Sequence, residues 1–254
     1  MSKPIVLITG ASSGFGAACA KRYNENGYPI ILVARRIEKL EELKLELDTT
    51  YPIHLAQVDV TRSDQILTFM EALPNEFKNI GILINNAGLA LGLGSFEETI
   101  SEDNAQMIDT NINGLVNFTH SILPVMVKNN SGHIINIGSI AGSWPYPGGN
   151  IYCATKAFVQ QFSRCLRADL VGKNIRVSNI EPGLAHTGYA EVRFKGDKQK
   201  AENIYKGANP LVAKDIAEII FFTTSLSPHI NINALEVMPT SQAWSALNVT
   251  KNNS

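Results

Sequence analysis

A tyrosine and a lysine stand four residues apart in IYCATKA, as Tyr152 and Lys156, directly after a Pro/Gly loop, GSWPYPGGN. On a helix, positions i and i+4 share a face, so the ammonium can sit beneath the phenol. A free phenol titrates near about 10 and is a poor base at neutral pH. A neighbouring cation favours its deprotonated form. The pair is therefore a candidate acid and base for moving a proton to or from a substrate oxygen. A surface Tyr–Lys pair has the same spacing, so the two residues alone do not decide. Cys153 lies between them but faces away, and reads as a structural thiol rather than a nucleophile.

Three further groups fit the same chemistry. Ser139, in NIGSIAG, ends an apolar run thirteen residues before Tyr152, where its hydroxyl can hold a substrate oxygen beside the phenol. Asn111, in IDTNINGLVN, sits within a helical pattern although Asn is a mediocre helix former. Pro182, Gly183 and Thr187 form a P-G-x-x-x-T loop after another apolar run. Read singly, these are a strand-ending serine, an ordinary polar helix residue and a turn.

The amino-terminal run IVLIT (5–9) leads into TGASSGFGAACAKR, with Gly10, Gly14 and Gly16 around Ser12, Ser13 and Phe15. Glycines let the backbone turn tightly and approach a pyrophosphate, and the helix that follows offers its free N–H groups to the anion. At the end of the second run, where an acid would bind a ribose 2′-hydroxyl, the chain has Arg35 and Arg36. Two guanidiniums suit a 2′-phosphate, which favours NADP over NAD. Asp59 and Val60 end the third run and can meet an adenine, although an Asp there also serves as a helix cap. Asn86, Ala87 and Gly88, in NNAG (85–88), end the fourth, and are small enough for a cofactor to cross the sheet edge.

The elements that must position these groups follow a simple rhythm. Short runs at 5–9, 30–34, 53–58, 80–86, 133–138, 175–180 and 234–238 are apolar almost throughout, as strands buried on both faces of a parallel sheet are. Amphipathic stretches lie between them, such as IEKLEELKLEL (37–47) with Leu40, Leu43 and Leu47 on one side, and AKDIAEIIFFTTSL (213–226). Alternating strands and helices predict an α/β fold with a doubly wound parallel sheet of about seven strands. The 254 residues fit a single domain over 1–247, with a loose tail at 248–254. Residues 184–212 are polar, show no clear strand, and fall between two strands, so they are expected to form a substrate lid.

Bulk composition narrows the function classes. Hydrophobic residues make up 44% and charged residues 18%, and 22 Lys+Arg balance 23 Asp+Glu. That offers no basic surface for nucleic acid or membrane. Three cysteines without metal-ligand spacing suggest free thiols, and no metal site is expected. No apolar stretch is long enough to span a membrane, and the amino terminus has no signal-peptide pattern, which together predict a cytoplasmic protein.

In order, the glycine loop, NNAG, Asn111, Ser139, Tyr152, Lys156 and the Pro182–Gly183 pair resemble the short-chain dehydrogenase/reductase family over essentially the whole chain. The resemblance implies a Rossmann-type fold, hydride transfer with NADP, and Tyr152 as acid/base. It also implies that Lys156 hydrogen-bonds the nicotinamide ribose, that Asn111 holds a water in a proton relay, and that Pro182, Gly183 and Thr187 meet the carboxamide. GSWPYPGGNIYCATKAF, VRFKGD (192–197) and INALEVMP look like NADP-dependent 3-hydroxy acid dehydrogenases, the group that oxidises serine and allo-threonine and reduces malonic semialdehyde. Such a substrate carries a carboxylate, for which Arg193, then Lys195, is the candidate cation; a solvated surface pair fits the same residues. Reductases of uncharged ketones or pterins on the same scaffold, and a non-catalytic NADP sensor, stay open. A homotetramer is expected, with the LEVMPTSQAWSALNV stretch packed on a neighbouring subunit.

Overall fold

The computed structural model describes residues 3–244; the expected tail at 248–254, and the part of the expected intersubunit stretch beyond Trp244, lie outside them. Seven parallel strands form the main sheet: β1 (Ile5–Thr9), β2 (Ile30–Ala34), β3 (Ile53–Gln57), β4 (Ile80–Asn85), β5 (Gly132–Ile137), β6 (Ile175–Pro182) and, after two short strands described below, β9 (Ala234–Val237). Their spatial order is β3-β2-β1-β4-β5-β6-β9. The winding reverses between β1 and β4, and ligands of open α/β sheets bind outside the carboxyl ends of strands at such a reversal.

Two apolar cores explain why the strands read as continuous hydrophobic runs. Side chains alternate across a strand. Ile5 and Leu7 pack on one face with residues of α3 (Ser63–Ala72), α5 (Leu115–Asn129) and α6 (Asn150–Asp169), notably Ile66, Phe118, Ile122 and Leu166. Val6 and Ile8 pack on the other face with α1 (Gly14–Glu25), α2 (Ile37–Lys44) and α9 (Ala213–Ser225), through Tyr23, Leu40 and Ile216. Full burial of such side chains contributes about 1.5–3 kcal/mol each, so both faces must be covered and neither can be polar.

Two expectations need correction. The second helix stops at Lys44, and Leu47 is buried from a turn beyond it. Residues 184–212 do contain strands: β7 (Ala185–His186) pairs in parallel with β8 (Leu211–Val212), and between them lie α7 (Tyr189–Arg193) and α8 (Lys198–Asn203). A two-residue strand is too short for alternation to show in the sequence.

Candidate active site

One cavity of about 560 Å³ runs along the carboxyl edge of the sheet and is lined by groups from the glycine loop through to α7. At its first end, Gly10 has φ +63° and a Cβ there would meet Ala87 Cα at 2.9 Å, while a Cβ on Gly16 would meet the Gly10 carbonyl at 2.4 Å. Both positions therefore require glycine: the first turn folds back onto the loop after β4. Thr9 and Asn86 fasten that contact. The Thr9 hydroxyl accepts from the backbone N–H groups of Asn86 and Ala87 at 3.1 Å each, and Asn86 Nδ2 donates to the Thr9 and Gly10 carbonyls. Gly10, Ser12, Ser13, Gly14, Phe15, Arg35, Arg36, Asp59, Val60, Asn86, Ala87 and Gly88 all line this half. The residues thus fit a dinucleotide: a glycine cradle that side chains would fill, and two exposed guanidiniums at its rim. Arg36 Nη2 reaches Ser12 Oγ at 3.4 Å. Asp59 realises its alternative role as well, since its carboxylate accepts from the Thr61 N–H and hydroxyl. Across the cavity, Thr187 stands 3.7 Å from where a Gly14 Cβ would lie.

The other half carries the acid/base candidates. Tyr152 and Lys156 occupy the first turns of α6, and Lys156 Nζ lies 5.8 Å from the centroid of the Tyr152 ring. Lys156 is buried and donates to the Ile137 carbonyl at 2.8 Å. Burial pulls its pKa below the usual lysine value, against the influence of Tyr152. Ser139 caps the short turn Ile140–Gly142, accepting from the Ala141 N–H at 3.1 Å. Its own proton is directed at the Pro182 carbonyl at 3.5 Å. That distance is long for a hydroxyl hydrogen bond, so the proton can turn to a substrate oxygen at little cost.

Asn111 lies in a π-helical turn, Asp109–Gly114, between α4 (Ser101–Ile108) and α5, not in a regular helix. Its amide makes three hydrogen bonds: Oδ1 accepts from the Leu89 N–H, while Nδ2 donates to the Leu89 carbonyl and to Thr155 Oγ1. A Cβ on Gly88 would lie 3.2 Å from Asn111 Oδ1 and 3.5 Å from Lys156 Nζ, so both residues converge on Gly88.

Arg193 and Lys195 part company. Arg193 reaches into the cavity from α7: Nη2 donates to the Tyr146 hydroxyl at 2.6 Å, and Cζ lies 5.3 Å from the Tyr152 ring centroid and 5.6 Å from that of Tyr146. Burial opposes its charge, but Tyr146, Tyr189 and Tyr152 around it more than offset that, and its pKa rises. Lys195 instead pairs with Asp103 at 2.7 Å, outside the cavity. The chain turns at Lys195, two residues beyond Arg193, with φ +51°. Cys153 is buried, and the His186 ring meets that of Tyr205 at a tilt of 54°, with centroids 4.4 Å apart.

Several lining residues were not foreseen from sequence. Tyr146 braces Arg193, with burial pushing its phenol up to about 12. Tyr189 packs its ring 5.9 Å from that of Tyr152. Gln242 accepts from the Leu184 N–H at 2.7 Å and ties the segment after β9 to residues 184–212. The aromatic between two prolines in WPYP was a signal for Tyr146; nothing in the sequence marked Gln242. Among the described residues there is no His/Cys/Asp/Glu group able to hold a metal, and no helix long and apolar enough to cross a membrane.

Comparison with known proteins agrees with this geometry. The chain is 49% identical over 242 residues to a sulfoacetaldehyde reductase of Chromohalobacter salexigens, covering 95% of this chain and 96% of that protein. It is 50% identical over 246 residues to the NADP-dependent 3-hydroxy acid dehydrogenase YdfG of Escherichia coli, covering 96% and 98%. A closed form of serine dehydrogenase complexed with NADP+ superposes with a TM-score of 0.95 at 49% identity, over 98% of this chain and all (100%) of that one. The family model for short chain dehydrogenases matches residues 4–198, and the chain belongs to that family.

Proposed function

We propose that the protein is an NADP(H)-dependent oxidoreductase that interconverts a short 3-hydroxy acid, or a sulfonate of similar size, with its carbonyl counterpart. One observation carries this reading: the Arg193 guanidinium stands over the ring of Tyr152, so an anion receptor and a proton-transfer group share one end of the cavity. The names of the relatives point the same way, since each acts on a carbonyl or hydroxyl compound that also bears an acid group.

When bound, the cofactor supplies or accepts the hydride. The chain's own residues do the rest. Gly10, Ser12, Ser13, Gly14, Phe15 and Gly16 would hold the pyrophosphate, Arg35 and Arg36 the 2′-phosphate, and Asp59 and Val60 the adenine. Asn86, Ala87 and Gly88, with Pro182, Gly183 and Thr187, would bound the nicotinamide end. In reduction Tyr152 gives its proton to the developing alkoxide oxygen; in oxidation it takes the alcohol proton. Ser139 holds that oxygen beside the phenol. The positive charges of Lys156 and Arg193 support negative charge on Tyr152, and Arg193 receives the substrate's acid group in its planar fork. Asn111 fixes the Leu89 backbone next to Lys156 and holds the relay water. Residues 184–212 act as the lid, because they carry both Thr187 and Arg193. The working unit is a cytoplasmic homotetramer, testable by sedimentation.

The deciding experiment follows NADPH oxidation with malonic semialdehyde, sulfoacetaldehyde and an uncharged aldehyde of similar size. A kcat/KM for the acids at least about 10²-fold above that for the uncharged aldehyde is expected. Equal values would transfer the protein to the reductases of uncharged carbonyls.

A further inference from the structure

Three phenols, those of Tyr146, Tyr152 and Tyr189, surround the Arg193 guanidinium, and their roles differ. Tyr146 accepts from Arg193. Tyr152 is the proton carrier of the proposed reaction. Tyr189 has no assigned partner: its hydroxyl oxygen is buried, and no group stands in hydrogen-bond geometry to it among the described residues. A buried hydroxyl without a partner costs about 1–3 kcal/mol, so this one is expected to gain a partner at some stage of the working cycle.

Among the side chains packed around Tyr189, one acceptor remains open. Tyr189 packs with Tyr152 and Ile151 against Leu89, Ala90 and Met107, which offer apolar side chains. The titratable and charged groups around the pair are Lys156 on α6, Arg193 on α7, and Tyr146, with Cys153 facing Tyr146. Lysine and arginine only donate. The Tyr146 oxygen already accepts from Arg193. The Tyr152 oxygen remains: the two rings lie 5.9 Å apart at 58°, and the hydroxyls are not yet in hydrogen-bond geometry. Burial first, then Tyr152, keeps the Tyr189 phenol well above its ordinary pKa. Tyr189 thus keeps its proton.

We propose that Tyr189 is a positioning residue for proton transfer: its hydroxyl donates to the Tyr152 oxygen whenever that oxygen is negatively charged. No proton leaves Tyr189. The Tyr152 proton goes to the substrate alkoxide in reduction, and the Tyr189 O–H turns toward the oxygen left behind. In oxidation the same donor holds the phenolate before it takes the alcohol proton.

This inference rests on the proposed reaction, and the test separates the two. In Tyr189→Phe, the limb of the oxidation rate that rises with pH should move up by about one unit, because a charge-assisted hydrogen bond to the phenolate is lost. Below that limb the rate should fall about 10-fold, with KM changed less than about twofold. The melting temperature should stay level or rise, since the oxygen removed had no partner. A superimposable pH profile, a shift to lower pH, or a protein that melts markedly earlier or fails to fold would overturn the proposal. Tyr152→Phe is run alongside. If it keeps turnover, the proposed reaction itself fails; if it is inactive while the Tyr189→Phe profile is unmoved, only the role of Tyr189 falls.

Discussion

In the proposed reaction the two ends of the cavity would face the same task, holding a charged group, yet they are built in opposite ways. Arg35 and Arg36 are exposed and lightly tethered; Arg36 reaches Ser12 of the glycine loop at 3.4 Å. Arg193 is half-buried, bonded to Tyr146 at 2.6 Å and set over two aromatic rings. Exposed cations attract a phosphate at modest desolvation cost, but salt screens them. A caged cation is costly to bury and is screened little; in return it meets its ligand already oriented. The first end suits a ligand identified by charge alone. The second suits one whose acid group and reacting carbon must be held in fixed relation.

The strongest way to sharpen this contrast is at Tyr152. Tyr152→Phe should lower kcat by about 10³-fold, the range general acid–base groups supply, while NADPH binding followed by fluorescence changes little. A comparable loss of NADPH affinity would mean that the two ends are not separable. Arg193→Ala should come next, raising KM for an acid substrate by about 10²-fold, since a hydrogen-bonded charge pair contributes about 1.5–3 kcal/mol. The uncharged aldehyde should be nearly indifferent, and an unchanged KM for the acid would remove Arg193 from the substrate site. Arg35→Ala and Arg36→Ala should each weaken NADPH by about 10-fold at low salt, less at high salt, and leave NADH where it was. If the KM of the acid substrate proved as salt-sensitive as NADPH binding, the proposed difference between caged and open cations would be lost. Lys195→Ala should do least, within about twofold, because its exposed bond to Asp103 lies outside the cavity.

Which features were legible from sequence follows from the range of the forces involved. The apolar runs announced the sheet because both faces of each strand are buried, and burial leaves a one-dimensional trace. The glycine loop was readable because close backbone approach excludes side chains at Gly10 and Gly16 whatever else surrounds them. Arg35 and Arg36 were readable because charge type alone carries the argument. Arg193 was separable from Lys195 only once their partners, Tyr146 and Asp103, were known. Tyr189 was invisible, because its proximity to Tyr152 joins residues 37 positions apart through tertiary packing. The strands β7 and β8 escaped for the same reason: their pairing joins the two ends of residues 184–212, and two residues leave no pattern.

The π turn at Asp109–Gly114 has a consequence for how this scaffold can change. A turn closed by i→i+5 bonds is a helix with one surplus residue, and that surplus sets the rotational phase of everything after it. Were one residue lost there, the helix would run on smoothly and gain ordinary hydrogen bonds, yet Asn111 would swing by about 100°. The Leu89 backbone would then lose the amide that clasps both its N–H and its carbonyl. Local regularity and the wall beneath Lys156 are thus in direct competition. A lineage that relaxed the helix would gain a better-formed rod and give up the brace that Asn111 sets behind Leu89.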